Sequence, residues 1–79
     1  MKPQVVHKTL DATELLCPMP VVRANQAIQD IKPGEVLEVL ATDKGSVTDF
    51  PAWCQHQGHT LLHWEQDGGV YRYYIQRGK

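Results

Sequence analysis

Three things are scarce in this chain, and each scarcity excludes a class of function. No apolar run approaches the roughly 20 residues that a helix needs to cross a bilayer, so membrane insertion is not expected. Basic residues are not in excess: eight Lys and Arg stand against nine Asp and Glu, for a net charge of -1. That balance argues against direct nucleic-acid binding driven by bulk charge. Cysteine is limited to two residues, Cys17 and Cys54. The opening Met1-Lys2-Pro3-Gln4 is too short and too polar for a secretory leader, so a cytoplasmic location is expected. In that compartment two cysteines read as free thiols rather than a structural disulfide. Repeats, low-complexity tracts and internal linkers are also missing. The 79 residues leave no room for two cores, so residues 1–79 are expected to form a single domain.

What is present centres on Leu15-Leu16-Cys17-Pro18-Met19-Pro20. Proline fixes φ near the helical value and has no N–H, so it suits the first turn of a helix and not the interior. Pro18 therefore reads as the first helical residue and Cys17 as the cap before it. Val21, Ala24, Ile28 and Ile31 recur at helical spacing, which supports a helix over about Pro18 to Asp30. A thiol at a helix N-terminus faces the positive end of the dipole, which favours the nucleophilic thiolate. With Pro18 and Pro20 offering no donors, Met19 and Val21 are the amides available to the sulfur. The competing reading of Cys17 is a small buried hydrophobe; spacing alone does not choose between the two.

The remaining elements follow from pattern. Val5 to Leu10 is a β-branched run and the expected first strand, with Asp11 to Leu16 as the connection to the helix. Pro33-Gly34 turns the chain into a nearly continuous apolar run, Glu35 to Thr42, which suits a central strand. Strand, helix, strand over this length implies a parallel pair with a right-handed crossover. Asp43-Lys44-Gly45 forms a turn, and Ser46-Val47-Thr48-Asp49 has capping-box spacing ahead of a second helix, Val47 to Gln57, closed by Gly58. Val47, Phe50 and Cys54 are its expected buried residues. Thr60 to Gln66 and Val70 to Arg77 make a final hairpin across Asp67-Gly68-Gly69. The expected fold is an α/β (α+β) two-layer sandwich of βαβαββ order, with a four-stranded mixed sheet and both helices on one face.

This topology starts both helices at the carboxyl ends of parallel strands, along one edge of the sheet. Cys17 and the Asp43-Lys44-Gly45-Ser46 turn are therefore expected to be neighbours. Two helix N-termini and Lys44 would give that edge a mildly electropositive character. Asp11 is placed to orient the motif loop by accepting backbone amides; general-base duty is the weaker alternative. Asp43 and Asp49 read most simply as turn and cap residues. Cys54 reads as an inert buried thiol. His56, His59 and His63 run from a helix end into a strand without a closed ligand spacing, so no metal site is assigned, and no motif calls for a cofactor. Arg72 and Arg77 on the last strand are expected to be solvated.

The set Leu10-Asp11-Ala12, Leu15-Leu16-Cys17-Pro18-Met19-Pro20, Lys32-Pro33-Gly34-Glu35, Thr42-Asp43, Asp49-Phe50-Pro51-Ala52-Trp53-Cys54 and Gly58-His59 resembles the TusA/SirA family of small sulfur-carrier proteins. A lone Cys-Pro-x-Pro is a weak signal; this order and spacing from about Thr9 to Gln76 is specific. The resemblance implies sulfurtransferase-type chemistry, with Cys17 accepting sulfur as a persulfide and passing it on in a sulfur relay. It implies a protein donor, such as a cysteine desulfurase or another sulfurtransferase. It also implies a protein acceptor serving tRNA thiolation, cofactor synthesis or sulfur oxidation. Two positions depart from the family pattern. Glu14 stands where a glycine is usual, and Leu16 stands where many members carry a basic residue. The alternative reading is a regulatory or RNA-binding module with Cys17 as a structural cap, since the two-layer fold is similar to the C-terminal domain of a bacterial translation initiation factor. The slightly acidic chain, without a basic stripe, speaks against it.

Overall fold

In a computed structural model, which describes residues 2–79, the chain runs β1 (Lys8–Ala12), α1 (Met19–Ala27) with a 3₁₀ turn at Ile28–Asp30, β2 (Val36–Ala41), α2 (Ser46–Gln57), β3 (Thr60–Asp67) and β4 (Val70–Gln76). Met1, the first residue of the polar start, lies outside the described residues. The four strands form one mixed sheet in the order β1-β2-β4-β3. β1 and β2 are parallel, and β4 is antiparallel to both β2 and β3. The expected two-layer βαβαββ architecture is the one observed, with β2 central.

The first strand lies three residues later than the β-branched run implied. Its partners settle the matter: Lys8 pairs with Leu37 and Ala12 with Ala41, so β1 follows β2 to its end and carries Asp11 inside the strand. Val5, the start of the apolar run, is exposed. Register also sorts the faces. Leu10, Ala12, Leu37, Val39, Ala41, Tyr71, Tyr73, Ile75 and Leu61 join Ala24, Ala27, Ile28, Phe50, Trp53 and Cys54 in one core cluster. Tyr73 stacks on Phe50 with ring centroids 4.6 Å apart, which locks α2 onto the middle of the sheet. On the opposite face Arg72 lies between Glu38 and Glu65, at 3.5 and 3.4 Å. Arg77 donates to the Ile31 carbonyl and to Gln29. Both arginines are thus half-buried and paired rather than solvated, because a long side chain at a strand centre or end lies along its neighbours before reaching water.

The α2 start departs from the expected capping box. Gly45 is the cap residue, Ser46 is already helical, and no side chain caps the helix. The turn itself satisfies the first amides: those of Ser46, Val47, Thr48 and Asp49 bond to the carbonyls of Asp43, Lys44 and Gly45. With its capping task taken by backbone, the Ser46 hydroxyl is buried and pairs with the Tyr73 hydroxyl at 2.7 Å. This bond ties the first residue of α2 to the centre of β4. At the other end Gly58 closes the helix in the left-handed conformation, φ 78°, where a side chain would be strained.

The Ser46–Tyr73 pair makes a direct prediction. Ser46→Ala or Tyr73→Phe leaves one buried hydroxyl without a partner and should lower stability by about 1–3 kcal/mol. The double variant should cost less than the sum of the singles, because both hydroxyls are then gone. Chemical denaturation of the four proteins measures this.

Candidate functional site

The site forms where the β1–α1 loop meets the β2–α2 turn. Asp11 shapes the loop: its carboxylate accepts the Thr13 amide at 3.0 Å and the Thr13 hydroxyl at 2.6 Å. These bonds hold the Asp11 carboxyl below its ordinary value, the hydroxyl contributing most and the amide next. This is the loop-orienting geometry expected for Asp11. Glu14 takes the left-handed conformation at φ 67° and donates its amide to the Thr42 hydroxyl at 2.7 Å, which fastens the loop to the end of β2. The left-handed backbone that Glu14 adopts is one that favours glycine, although a glutamate fills it.

α1 starts at Met19, with Pro18 as its cap residue and Cys17 one residue further out. Pro20, in the first turn, is buried while Pro18 is exposed. The expected cap position of Cys17 is therefore displaced by one. The Met19 amide does not serve the sulfur, because it donates to the Leu16 carbonyl at 2.8 Å. Instead, the exposed Cys17 thiol donates to Asp49 Oδ2 at 2.9 Å. Asp49 is free to accept because the turn carbonyls have taken over the start of α2.

Asp43 completes the arrangement. Donor atoms of Cys17, Asp43 and Asp49 all lie within 4.8 Å of one another. Asp43 Oδ2 is buried without a hydrogen-bond partner among the described residues. The Asp43 carboxylate lies against Gly45: a Cβ there would meet Asp43 Oδ2 at 2.9 Å and Asp49 Oδ2 at 3.7 Å, so a larger residue would make the carboxylate shift. One soft thiol and two hard carboxylates match neither a Cys/His zinc set nor an all-oxygen calcium cage, so the chemistry on display is that of a shared proton. His59 Nδ1 accepts the Gly78 amide and His63 Nε2 lies 3.2 Å from Glu65. With Cys54 buried in α2, these side chains form no common ligand set among the described residues.

The electrostatic expectation for this edge is overturned. The hydrogen bond to Asp49 pushes the Cys17 thiol above its ordinary value; desolvation and the charges of Asp49 and Asp43 add to it. Lys44 is exposed and forms no ion pair among the described residues, so it does not offset the acids. A hydrogen bond that exists only in the protonated form, reinforced by two carboxylates, favours the thiol, and Cys17 stands one residue outside the helix cap. Asp43 was foreseen as a site neighbour. The role of Asp49 was not, because Ser-x-x-Asp spacing before a helix spells a cap.

Beyond the carboxylates, exposed apolar side chains flank the thiol in the sequence. Leu16 is 72% exposed, Met19 38% and Val22 39%, a strip running from the motif loop along α1. A shallow groove of about 310 Å³ continues it between the helices, lined by Val21, Val22, Asn25, Gln26, Trp53 and Gln57. Cys17 does not line this groove. Tyr71 and Tyr73 are buried in the core, so they present no base-stacking platform.

The sequence pattern of the family described as "Sulfurtransferase TusA" matches residues 8–77. The chain belongs to the TusA family. YrkI of Bacillus subtilis is 45% identical over 71 residues, covering 90% of this chain and 95% of that protein. The sulfur carrier protein TusA of Pseudomonas paraeruginosa is 39% identical over 72 residues, 91% of each. A crystal structure of a SirA-like protein from Desulfitobacterium hafniense superposes with a TM-score of 0.76 at 29% identity, covering 91% of this chain and 99% of that one. Among the described residues no helix is long and apolar enough to cross a membrane.

Two outcomes are expected of the TusA-type site. Limiting iodoacetamide should label Cys17 before Cys54 in the native protein, read by peptide mapping. Both thiols are raised, but Cys17 is exposed, whereas burial takes Cys54 up to about 11. Separately, Glu14→Gly should raise the unfolding free energy by roughly 0.5–1 kcal/mol. Relief of the left-handed strain exceeds the entropy that glycine adds to the unfolded chain.

Proposed function

We propose that this TusA-family chain is a sulfur carrier that accepts sulfur as a persulfide on Cys17 and hands it to an acceptor protein. The observation that carries the reading is an exposed thiol standing clear of the helix groove, with the exposed apolar side chains of Leu16 and Met19 close to it in the sequence. A sulfur so presented suits exchange between two docked proteins better than turnover of a small molecule held in a cavity.

The loading step is a displacement of the thiol–disulfide kind. Cys17 Sγ attacks the outer sulfur of a donor persulfide. A bond forms between Sγ and that sulfur, and the donor's S–S bond breaks. The electron pair stays on the donor's inner sulfur, which takes up the proton that Cys17 has lost. One persulfide and one thiol enter and one of each leaves, so the step is redox-neutral and needs no cofactor. Discharge to the acceptor repeats it in the opposite sense. Pro18 and Pro20 restrict the backbone on either side of Met19, so the loaded sulfur keeps a defined direction. Asp11 serves the same end through the loop. Residues 1–79 act as one carrier unit in the cytoplasm, with a cysteine desulfurase or another sulfurtransferase as donor.

The relay gives two expected outcomes. Cys17→Ala should abolish the gain of one sulfur on incubation with polysulfide, read by intact mass, while the circular dichroism spectrum stays that of the wild type; loading retained in Cys17→Ala would overturn the reading. Leu16→Gln, which removes the apolar side chain without adding charge, should leave polysulfide loading unchanged and slow loading from a protein donor severalfold, because only the protein needs the apolar surface. Parallel loading rates from the two donors measure this.

A further inference from the structure

We propose that Asp49, seated beside Asp43, keeps Cys17 protonated in the free carrier, and that the donor protein which loads it brings a cationic group into this acidic pair. The second half rests on the sulfur-carrier reading; the first stands on the geometry of the free chain alone.

The argument begins with what faces the sulfur. α2 contributes Asp49, whose Oδ2 accepts the thiol proton at 2.9 Å. The β2–α2 turn contributes Asp43 and the exposed, unpaired Lys44. The single charged residue of α1 is Arg23, which is exposed. In the β1–α1 segment Asp11 is engaged with Thr13, and Glu14 is exposed with only its amide held. Two carboxylates thus bear on Sγ, and no cation is paired with either among the described residues. Asp43 Oδ2 is buried and has no hydrogen-bond partner among the described residues.

A carboxylate in this position has a definite chemical effect. It accepts from the thiol and cannot donate to the thiolate, so it favours the protonated, poorly nucleophilic form. The free carrier then resists adventitious oxidation and alkylation. A Lys or Arg arriving with the donor would pair with Asp49 and Asp43, remove the acceptor from the thiol, and supply the charge that a thiolate needs. Leu16 fits this division of labour. The side chain before the cysteine is apolar and 72% exposed, so it supplies no charge to the sulfur, and the cation must come from the partner. The proton released from Cys17 ends on the donor's leaving sulfur, so charge balances across the step.

The probes are a pair of thiosulfonates that react with the same thiol and differ in charge: cationic 2-aminoethyl methanethiosulfonate and anionic 2-sulfonatoethyl methanethiosulfonate. Their rate ratio at Cys17 is taken relative to an unstructured cysteine peptide at low salt. The wild-type chain should favour the cation by roughly fivefold or more, and salt should weaken the preference. Asp43→Asn/Asp49→Asn should bring the ratio to that of the peptide. In the pH profile of iodoacetamide alkylation, Asp49→Asn should lower the midpoint, and Asp49→Glu should keep it near the wild-type value. A merely structural role would not move that midpoint. The absence of a cation preference in the wild type needs no variant to be observed and would overturn the proposal. So would a preference that persists in the double variant, or an Asp49→Asn midpoint that stays in place or rises. Polysulfide loading, measured in parallel by intact mass, separates the two readings. If loading fails but the charge preference holds, the carrier role is wrong and the proton-holding role of Asp49 stands. If loading succeeds without the preference, the acidic-pair proposal alone is lost.

Discussion

The parallel pairing of β1 with β2 is the constraint on which this site depends. A parallel pair needs a crossover, and a right-handed crossover returns the chain on one side of the sheet. Here the crossover is α1. Because both parallel strands point the same way, the loops that leave them emerge at the same edge. The motif loop and the β2–α2 turn meet there, 32 positions apart in sequence at the Cys17–Asp49 contact. An antiparallel arrangement of the same strands would send these loops to opposite ends of the sheet.

The meeting has to be held to a fraction of an ångström, and short polar contacts do it. Thr42 receives the Glu14 amide and so ties the motif loop to the end of β2. Ser46 bonds to Tyr73, which anchors the start of α2 against the middle of β4. Phe50, one turn on, stacks on the same tyrosine. Asp49 lies between Ser46 and Phe50 on this turn, and its position is inherited from these buried neighbours. The Cys17 edge of so small a domain is precise because its supporting contacts reach into the core rather than along the surface.

The acids and the apolar strip together describe what this edge is suited to meet. An exposed thiol beside carboxylates is quiet toward small electrophiles, and a surface of Leu16, Met19 and Val22 is suited to a protein. Under the proposed docking of a cationic partner, reactivity and recognition are coupled, since the contact that aligns the sulfur is also the one that alters its charge environment.

Much of this was legible in the residues. Helical spacing after Cys-Pro-Met-Pro, the continuous apolar run of β2 and the glycine signals at residues 34, 58 and 68–69 determined the elements, because local propensity and periodicity are local properties. The order of elements then placed Cys17 beside the Asp43 turn. Register was not legible: β1 starts at Lys8 rather than Val5 because its extent is decided by β2, a partner 29 residues away. Nor was the state of the thiol. From the sequence, Cys17 stands at a helix start and Asp49 in a capping position, and both readings predict a helix-stabilising role and a lowered thiol. Only the folded chain shows that backbone carbonyls satisfy the α2 start, that Asp49 is thereby released, and that its carboxylate reaches the sulfur. Charge effects between residues distant in sequence depend on distances of a few ångströms, and those distances exist only once the sheet has brought the two loops together.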